Sequence, residues 1–233
     1  MERIDKIFSS AGIFTRTECK KAIKDGRITL NGKVVKNSNE KADISCDEVF
    51  LDGKKPNLNK FIYVMLNKPQ GVVSATEDKV EKTVLSLIPK KFYRDGLFPC
   101  GRLDKDTVGL VIITNDGDSA HRRLSPKNNT EKEYLFTLAD EILSEDIAEI
   151  EKGVLLKDGY KTAPCKVRMS DGKNGKITLT EGKYHEIKRI FASRGNKVIF
   201  LKRISFGGIY LDENLESGAC RLLTDSEIEK FTK

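Results

Sequence analysis

The chain has 233 residues, 38% of them hydrophobic and 33% charged, and its 42 lysines and arginines against 35 aspartates and glutamates give a formal net charge of +7. This composition is typical of a globular protein with a sizeable core, and no apolar run is long enough to span a membrane. The first residues lack a signal-peptide pattern, so we expect a cytoplasmic protein. Five cysteines without a Cys-x-x-Cys pair and only two histidines argue against a disulfide framework and a zinc site. The basic surplus favours a polyanionic partner.

Most of this surplus lies in residues 1–41, which hold ten basic residues against five acidic ones. Thr15 and Glu18 form a capping-box pattern that predicts the start of a helix, and Gly26 predicts its end. Basic residues recur every four positions along this helix and therefore share one face. They are Arg16, Lys20 and Lys24.

An Asn31-Gly32 pair between two short apolar runs predicts a β-hairpin directly after this helix. A basic helix beside a small hairpin favours a phosphate-binding surface, and a merely solvated charged face is the alternative. The turn-rich, charged segment 52–57 then predicts a linker. We therefore expect a small basic module at residues 1–56, a linker at 57–60 and a main body at 61–233.

The body alternates short apolar runs with helical patterns. Strands are predicted at 61–66, 72–75, 110–113, 131–138, 154–156, 165–169, 177–180 and 198–204, with residues 174–175 as the turn between the sixth and the seventh. Helices are predicted at 84–88, 118–124, 143–150 and 184–194, and a last one is capped by Thr224 and Glu227. Strands outnumber the crossover helices, so we expect an α+β fold around a mixed, largely antiparallel sheet.

A polar turn with Arg102, Asp104 and Asp106 directly precedes the apolar run 110–113. Charged side chains at the lip of a rigid strand are well placed for chemistry, because a scaffold holds them against a substrate. An inert acidic turn is the alternative. Asp106 and Asp116 are interpreted as turn and capping residues.

The N-terminal stretch and four later stretches resemble, in order, the RNA-binding module and the motifs of the RsuA type of ribosomal RNA pseudouridine synthases. Residues 3–36 resemble the family's small RNA-binding module, which takes its name from a small-subunit ribosomal protein. Residues 65–71 (Met-Leu-Asn-Lys-Pro-Gln-Gly) resemble its first motif, and residues 101–117 its second. Residues 132–134 (Lys-Glu-Tyr) and 182–189 (Gly-Lys-Tyr-His-Glu-Ile-Lys-Arg) resemble its later motifs, although Glu186 stands where the family often has glutamine.

The resemblance implies a catalytic cleft in the body in which a uridine is isomerised to pseudouridine, without a cofactor or a metal. It assigns the reactive carboxylate to Asp104, a basic partner to Lys188 and a base-stacking tyrosine to Tyr134. Arg102 then matches a residue that helps to flip the nucleotide, and Leu201 matches a wall of the pocket. We expect further RNA contacts from Arg16, Lys20, Lys24, Arg27, Lys68, His185 and Arg189.

The resemblance favours small-subunit (16S) ribosomal RNA, reached within a ribosome assembly intermediate by a monomeric enzyme, while sister enzymes of the same layout act on the large subunit. A non-catalytic ribosome-binding or assembly protein is a second reading. It gives no reason to keep a carboxylate in an RNA-facing cleft. A magnesium site built on Asp104, Asp106, Asp116 and Asp118 is a third reading.

Overall fold

The structure, a computed structural model, describes residues 1–233 and divides into two compact units. One unit comprises Met1–Ile62 and Tyr93–Gly96, and the other comprises Tyr63–Phe92 and Leu97–Lys233. No helix is long and apolar enough to cross a membrane.

The first unit contains two helices and two small antiparallel sheets. Its elements are β1 (Glu2–Arg3), α1 (Ile4–Ser10), α2 (Arg16–Lys24), β2 (Ile28–Leu30), β3 (Lys33–Val34), β4 (Lys41–Ala42) and β5 (Val49–Leu51). Strands β1 and β4 pair with each other, while the other three form a sheet in the order β3, β2, β5. Buried apolar side chains of both helices and of β2 form the core of this unit.

Both local predictions for this unit are confirmed. The hydroxyl of Thr15 accepts from the Glu18 amide, and the Glu18 carboxylate accepts from the Thr15 amide, which is a complete capping box. Asn31 and Gly32 have φ of 50° and 77°. Because a tight turn with two positive φ angles matches the twist of paired strands, these residues close the hairpin of β2 and β3.

The second unit is built on a nine-stranded sheet with helices packed around it. Its strands are β6 (Tyr63–Lys68), β7 (Phe98–Cys100), β8 (Val108–Thr114), β9 (Lys132–Leu138), β10 (Lys166–Met169), β11 (Asn174–Leu179), β12 (Val198–Phe206), β13 (Ile209–Tyr210) and β14 (Cys220–Leu222). Its helices are α3 (Gly117–Leu124), α4 (Ser144–Glu151), α5 (Glu186–Ala192) and α6 (Asp225–Thr232), with 3-10 turns at Val84–Leu87, Lys90–Phe92 and Pro126–Asn128.

The sheet runs in the order β10, β11, β9, β12, β8, β6, β14, with β13 added to β12 and β7 added to β8. Every pair is antiparallel except β8 with β12, so the predicted mixed, largely antiparallel sheet is confirmed. The α+β class is confirmed with it.

Gly109 of β8 lies opposite Arg203 of β12 in the parallel pair of strands. Its φ is 100°, and a Cβ atom on it would lie 2.3 Å from the backbone oxygen of Arg203. Only glycine therefore fits there, and this close approach brings β8 and the loop before it against β12.

Three local predictions are wrong. Residues 72–75 form no strand beyond one bridge between Val73 and Thr83, because the Ser74 hydroxyl bonds both backbone groups of Leu103 in place of a strand partner. Residues 154–156 likewise make a single bridge. The turn before β11 lies at 170–173, because the Asp171 carboxylate accepts from the amides of Lys173 and Asn174.

Candidate active site

The loop between β7 and β8 is held from below by Lys68. This side chain is fully buried, and its Nζ donates to the carbonyl oxygens of Thr107 at 2.7 Å, Asp104 at 3.0 Å and Lys105 at 3.3 Å. Burial lowers the pKa of Lys68 to about 8, against the opposing attraction of Asp106 and Asp104. The prediction that Lys68 contacts RNA is therefore wrong. The ammonium serves as an internal anchor that fixes the backbone of Asp104.

The carboxylate of Asp104 lies opposite Lys188, which comes from helix α5 on the other side of the cleft. Lys188 Nζ donates to Asp104 Oδ2 at 3.0 Å and to Asp106 Oδ1 at 2.6 Å. Burial opposes the charge of Lys188, but hydrogen bonds to Asp106 and Asp104 outweigh it and raise its pKa. The same hydrogen bond lowers the pKa of Asp106. Lys188 thus stays cationic at neutral pH beside Asp104.

Asp106 is more than the turn residue that the sequence predicted, because it shares the ammonium of Lys188 with Asp104. Asp116 caps α3 as predicted, accepting from the Ser119 amide, and also accepts from the buried Tyr63 hydroxyl. No three His, Cys, Asp or Glu side chains in the chain form a group that could hold a metal ion. The four aspartates of the magnesium reading therefore do not come together.

A cavity of about 70 Å³ opens beside Asp104. Tyr134 of β9 and Leu201 of β12, both more than nine-tenths buried, form part of its wall. Arg102 is exposed at its mouth, and His185 Nε2 lies 3.5 Å from Asp104 Oδ1. The structure thus brings together the predicted residues Arg102, Asp104, Tyr134, Lys188, His185 and Leu201 around one cavity.

Two carboxyl groups that sequence reasoning missed line the same cavity. Glu186 is buried, its Oε2 accepts from the Lys183 amide, and its carboxyl is hydrogen-bonded to Glu181. Glu181 also accepts from the Tyr160 hydroxyl and the Ala163 amide. Burial, together with this neighbour, raises the pKa of Glu186 to about 8. Burial thus favours the protonated form of Glu186, in which its carboxyl can donate to Glu181 as a glutamine amide would.

A protonated carboxyl donates a hydrogen bond as a glutamine amide does. Glu186 can therefore stand at a position where the family that this chain resembles often has glutamine. The sequence could have indicated this buried carboxyl, because Glu186 stands beside Ile187 at the start of an otherwise apolar helix face. A carboxylate in such a position needs a cation or a proton.

None of the remaining predicted RNA contacts lines this cavity. Arg189 follows Lys188 but forms an ion pair with Asp158 at 2.5 Å, so its charge is already neutralised. Arg27 is paired with Asp52 through two hydrogen bonds, of 2.9 and 2.6 Å. Helix α2 has four exposed basic side chains without an ion pair, and the three of them besides Lys21 share one face. These three are Arg16, Lys20 and Lys24.

A basic module and a mixed-sheet body with a lysine-paired carboxylate in a narrow cleft define an RNA-modifying enzyme. Residues 62–193 match the family model of RNA pseudouridylate synthases, and residues 2–49 match the S4 domain. The chain therefore belongs to the RNA pseudouridylate synthase family.

Relatives match over the whole length of the chain. It is 43% identical over 230 residues to the uncharacterized RNA pseudouridine synthase YtzG of Bacillus subtilis, covering 97% of this chain and 96% of that protein. It is 39% identical over 232 residues to the ribosomal small subunit pseudouridine synthase A of Haemophilus influenzae, covering 99% and 100%. A crystal structure of a pseudouridylate synthase, 38% identical, superposes with a TM-score of 0.70 over 99% of this chain and 100% of that one.

Proposed function

We propose that this protein isomerises one uridine of small-subunit (16S) ribosomal RNA to pseudouridine, with Asp104 as the reacting carboxylate. The observation that carries the proposal is the Asp104 carboxylate at 3.0 Å from Lys188, in a cavity bounded by Tyr134 and Leu201. Full-length relatives named for the small ribosomal subunit support the choice of RNA.

The reaction breaks the bond between N1 of uracil and C1′ of ribose and forms a bond from C5 to C1′. The proton on C5 leaves and N1 gains one, so substrate and product contain the same atoms and no oxidant or co-reactant is consumed. A carboxylate can act as a nucleophile, which attacks the sugar or the base, or it can stabilise charge in the transition state. Each of these roles needs an ionised Asp104 that points into the cavity.

Each neighbour of Asp104 has a physical role in this proposal. Lys188 stabilises the ionised carboxylate after water is excluded, since an unpaired buried charge is costly. Tyr134 and Leu201 hold the flat faces of the base. Arg102, exposed at the mouth, contacts the strand from which the base is flipped, because guanidinium groups suit both stacking and phosphate contact.

The proposal also assigns parts to the domains. Residues 1–56 form the RNA-binding domain, 57–60 the linker and 61–233 the catalytic domain. The protein acts as a monomer on an assembly intermediate of the small subunit, which places its work in the cytoplasm. Arg16, Lys20 and Lys24 supply phosphate contacts from α2.

Tritium at C5 of uridine provides the test, because formation of the new bond releases it to water. We expect release from a small-subunit ribosomal RNA transcript, background release with Asp104→Asn, and normal release with the exposed control Asp118→Asn. Unchanged release with Asp104→Asn would remove Asp104 from the chemistry. Release from a large-subunit transcript alone would change the substrate, and release from neither would favour a non-catalytic binding protein.

A further inference from the structure

A second, larger groove adjoins the cavity of Asp104. It has a volume of about 670 Å³, against about 70 Å³ for the cavity itself, and both are bordered by Arg102, Asp104 and His185. A volume of several hundred cubic ångströms is that of a site for a whole small ligand. The surface beside the reacting carboxylate therefore has room for more than the base that reacts.

Tyr184 stands at the edge of this groove with 75% of its surface exposed. Its ring stacks on the ring of His185, with the centroids 3.8 Å apart and the planes 17° from parallel. One face of the tyrosine is thus covered by His185, while the rest of the ring is open to solvent. A large aromatic ring held in this way is a stacking platform for a planar partner.

The platform is held firmly in place. His185 adopts a left-handed backbone conformation with φ of 50°, which residues other than glycine rarely adopt. Its carbonyl accepts from the Arg189 amide at 2.9 Å, and its ring lies 3.5 Å from Asp104. On the other side, the Lys183 amide donates to Glu186 at 2.7 Å. These contacts hold the backbone around Tyr184 and His185 beside the reacting carboxylate.

Positive charge borders the groove as well. Arg102 and Lys183 both line it and neither forms an ion pair, whereas Lys105 is paired with Glu81 at 2.7 Å. Lys183 Nζ lies 4.9 Å from the centroid of the Tyr160 ring. Two cations beside an exposed aromatic ring match a single-stranded nucleotide, which offers a flat base and a phosphate.

We propose that this groove binds the nucleotide next to the target uridine in the same RNA strand, with its base stacked on Tyr184 and its phosphate near Arg102 and Lys183. The inference rests on the proposed function, since it takes the reacting uridine to lie at Asp104. Stacking on one aromatic face accepts any base, so the groove selects for an unpaired neighbour rather than for a particular sequence.

The binding test uses two single-stranded RNA pentamers made of uridines and one 2-aminopurine, placed directly 5′ or directly 3′ of the central uridine. Stacking quenches the fluorescence of 2-aminopurine. We expect quenching of at least one pentamer by the wild-type protein and by Tyr184→Phe, and loss of quenching with Tyr184→Ala and Tyr184→Leu. Tyr210→Ala is the matched control, since Tyr210 is 63% exposed in the same unit and lines neither cavity. Quenching that persists in Tyr184→Ala, or is absent in the wild type, would overturn the proposal.

The kinetic test separates binding from support of Asp104. With tritium release from the small-subunit transcript, Tyr184→Ala should raise KM by roughly 5- to 150-fold, the range that one aromatic stack contributes, with little change in kcat. A fall in kcat at constant KM would mean that Tyr184 only braces His185, which contradicts the proposal. If wild-type protein releases no tritium, the proposed function fails, and the pentamer result still decides whether the platform stacks a base.

Discussion

Lys188 donates from Nζ to Oδ2 of Asp104 across 3.0 Å, although 84 positions separate the two residues in the chain. Lys188 comes from α5 and Asp104 from the loop before β8, so the pair exists only because the sheet places these two elements on opposite sides of one cleft. Asp106 shares the same ammonium at 2.6 Å. The cation therefore bridges two carboxylates of the loop, of which Asp104 lines the cavity.

Removal of this cation should lower activity without unfolding the protein. We expect Lys188→Met to reduce kcat by about 100- to 1000-fold, the loss typical for one preorganised electrostatic group, and Lys188→Arg to recover part of it. Tritium release measures the effect. Lys152→Met, which removes an exposed lysine paired with Glu149, is the control and should keep full activity. Equal activities of Lys188→Met and this control would contradict the role of the cation.

The buried anchor Lys68 should matter for stability as well as for activity. Lys68→Met leaves the carbonyl of Thr107 without its donor, while the carbonyls of Asp104 and Lys105 keep the amides of Thr107 and Gly71. We expect a loss of about 1 to 3 kcal/mol in the free energy of unfolding, because a buried carbonyl without a hydrogen-bond donor is costly. Urea denaturation measures it. Tritium release at a temperature where the variant is fully folded should also fall, and an unchanged urea midpoint would show that Lys68 is dispensable.

The Glu186 carboxyl predicts a pH dependence of stability with a definite sign. Its pKa is raised from 4.5 to about 8 in the folded protein, so the folded state holds its proton where the unfolded state has lost it. Its contribution is complete below about pH 4.5 and disappears as the pH rises through about 8. We therefore compare the free energy of unfolding of Glu186→Gln with that of the wild type by urea denaturation at pH 6 and pH 9. The difference should shift in favour of the variant by about 1 to 3 kcal/mol at pH 9.

Two features of this experiment make it specific to Glu186. Lys68, whose pKa is also about 8, is present in both proteins, so its own titration cancels in the comparison. The exposed residue Glu145 on α4 provides a control, and Glu145→Gln should track the wild type at both pH values. If the free energies of unfolding of Glu186→Gln and wild type differ by the same amount at both pH values, the raised pKa of Glu186 is contradicted.

Substitution of Gly109 tests whether the close approach of the parallel strands β8 and β12 requires glycine. An alanine Cβ there would lie 2.3 Å from the Arg203 backbone oxygen, at a φ of 100°. We expect Gly109→Ala to lower the free energy of unfolding by about 3 kcal/mol or more. Gly208→Ala isolates the conformational part, since Gly208 also has a positive φ but nothing within 4 Å of its added Cβ, and should cost about 1 kcal/mol. Equal losses in urea denaturation would exclude the steric clash.

The basic face of α2 predicts the salt dependence of RNA binding. Substitution of Arg16, Lys20 and Lys24 by glutamine should remove the three phosphate contacts that we propose for this face. The slope of log affinity against log salt concentration should then decrease in magnitude by about 2 to 3, because each contact contributes 0.7 to 0.9. Filter binding of the small-subunit transcript at several salt concentrations measures it.

A charge-matched variant controls for net charge alone. It carries glutamine at Lys152, Lys166 and Lys230, three exposed positions of the second unit. The slope of this variant should stay close to that of the wild type. If both triple variants flatten the slope equally, the effect is one of overall charge and α2 is not the contact surface.

The features that sequence reasoning predicted correctly are mostly local. The capping boxes at Thr15 and Thr224 and the turn at Asn31-Gly32 involve residues within four positions of one another, so their hydrogen bonds are encoded in short stretches. The wrong strand at 72–75 shows the limit of this reasoning. Its apolar residues suit a strand, but Ser74 bonds to Leu103, which is 29 positions away.

By itself, the sequence determined the α+β class, the family, and the membership of Arg102, Asp104, Tyr134, Lys188 and Leu201 in one site, because motif order and hydrophobic periodicity are properties of the chain. Only the tertiary structure decided how each charge is used. Lys68 and Lys188 look alike in sequence, yet the first is buried under the loop and the second faces the cavity. Burial and partner choice depend on which distant segments the sheet brings together. They raise the pKa of Glu186 and leave one face of the Tyr184 ring free.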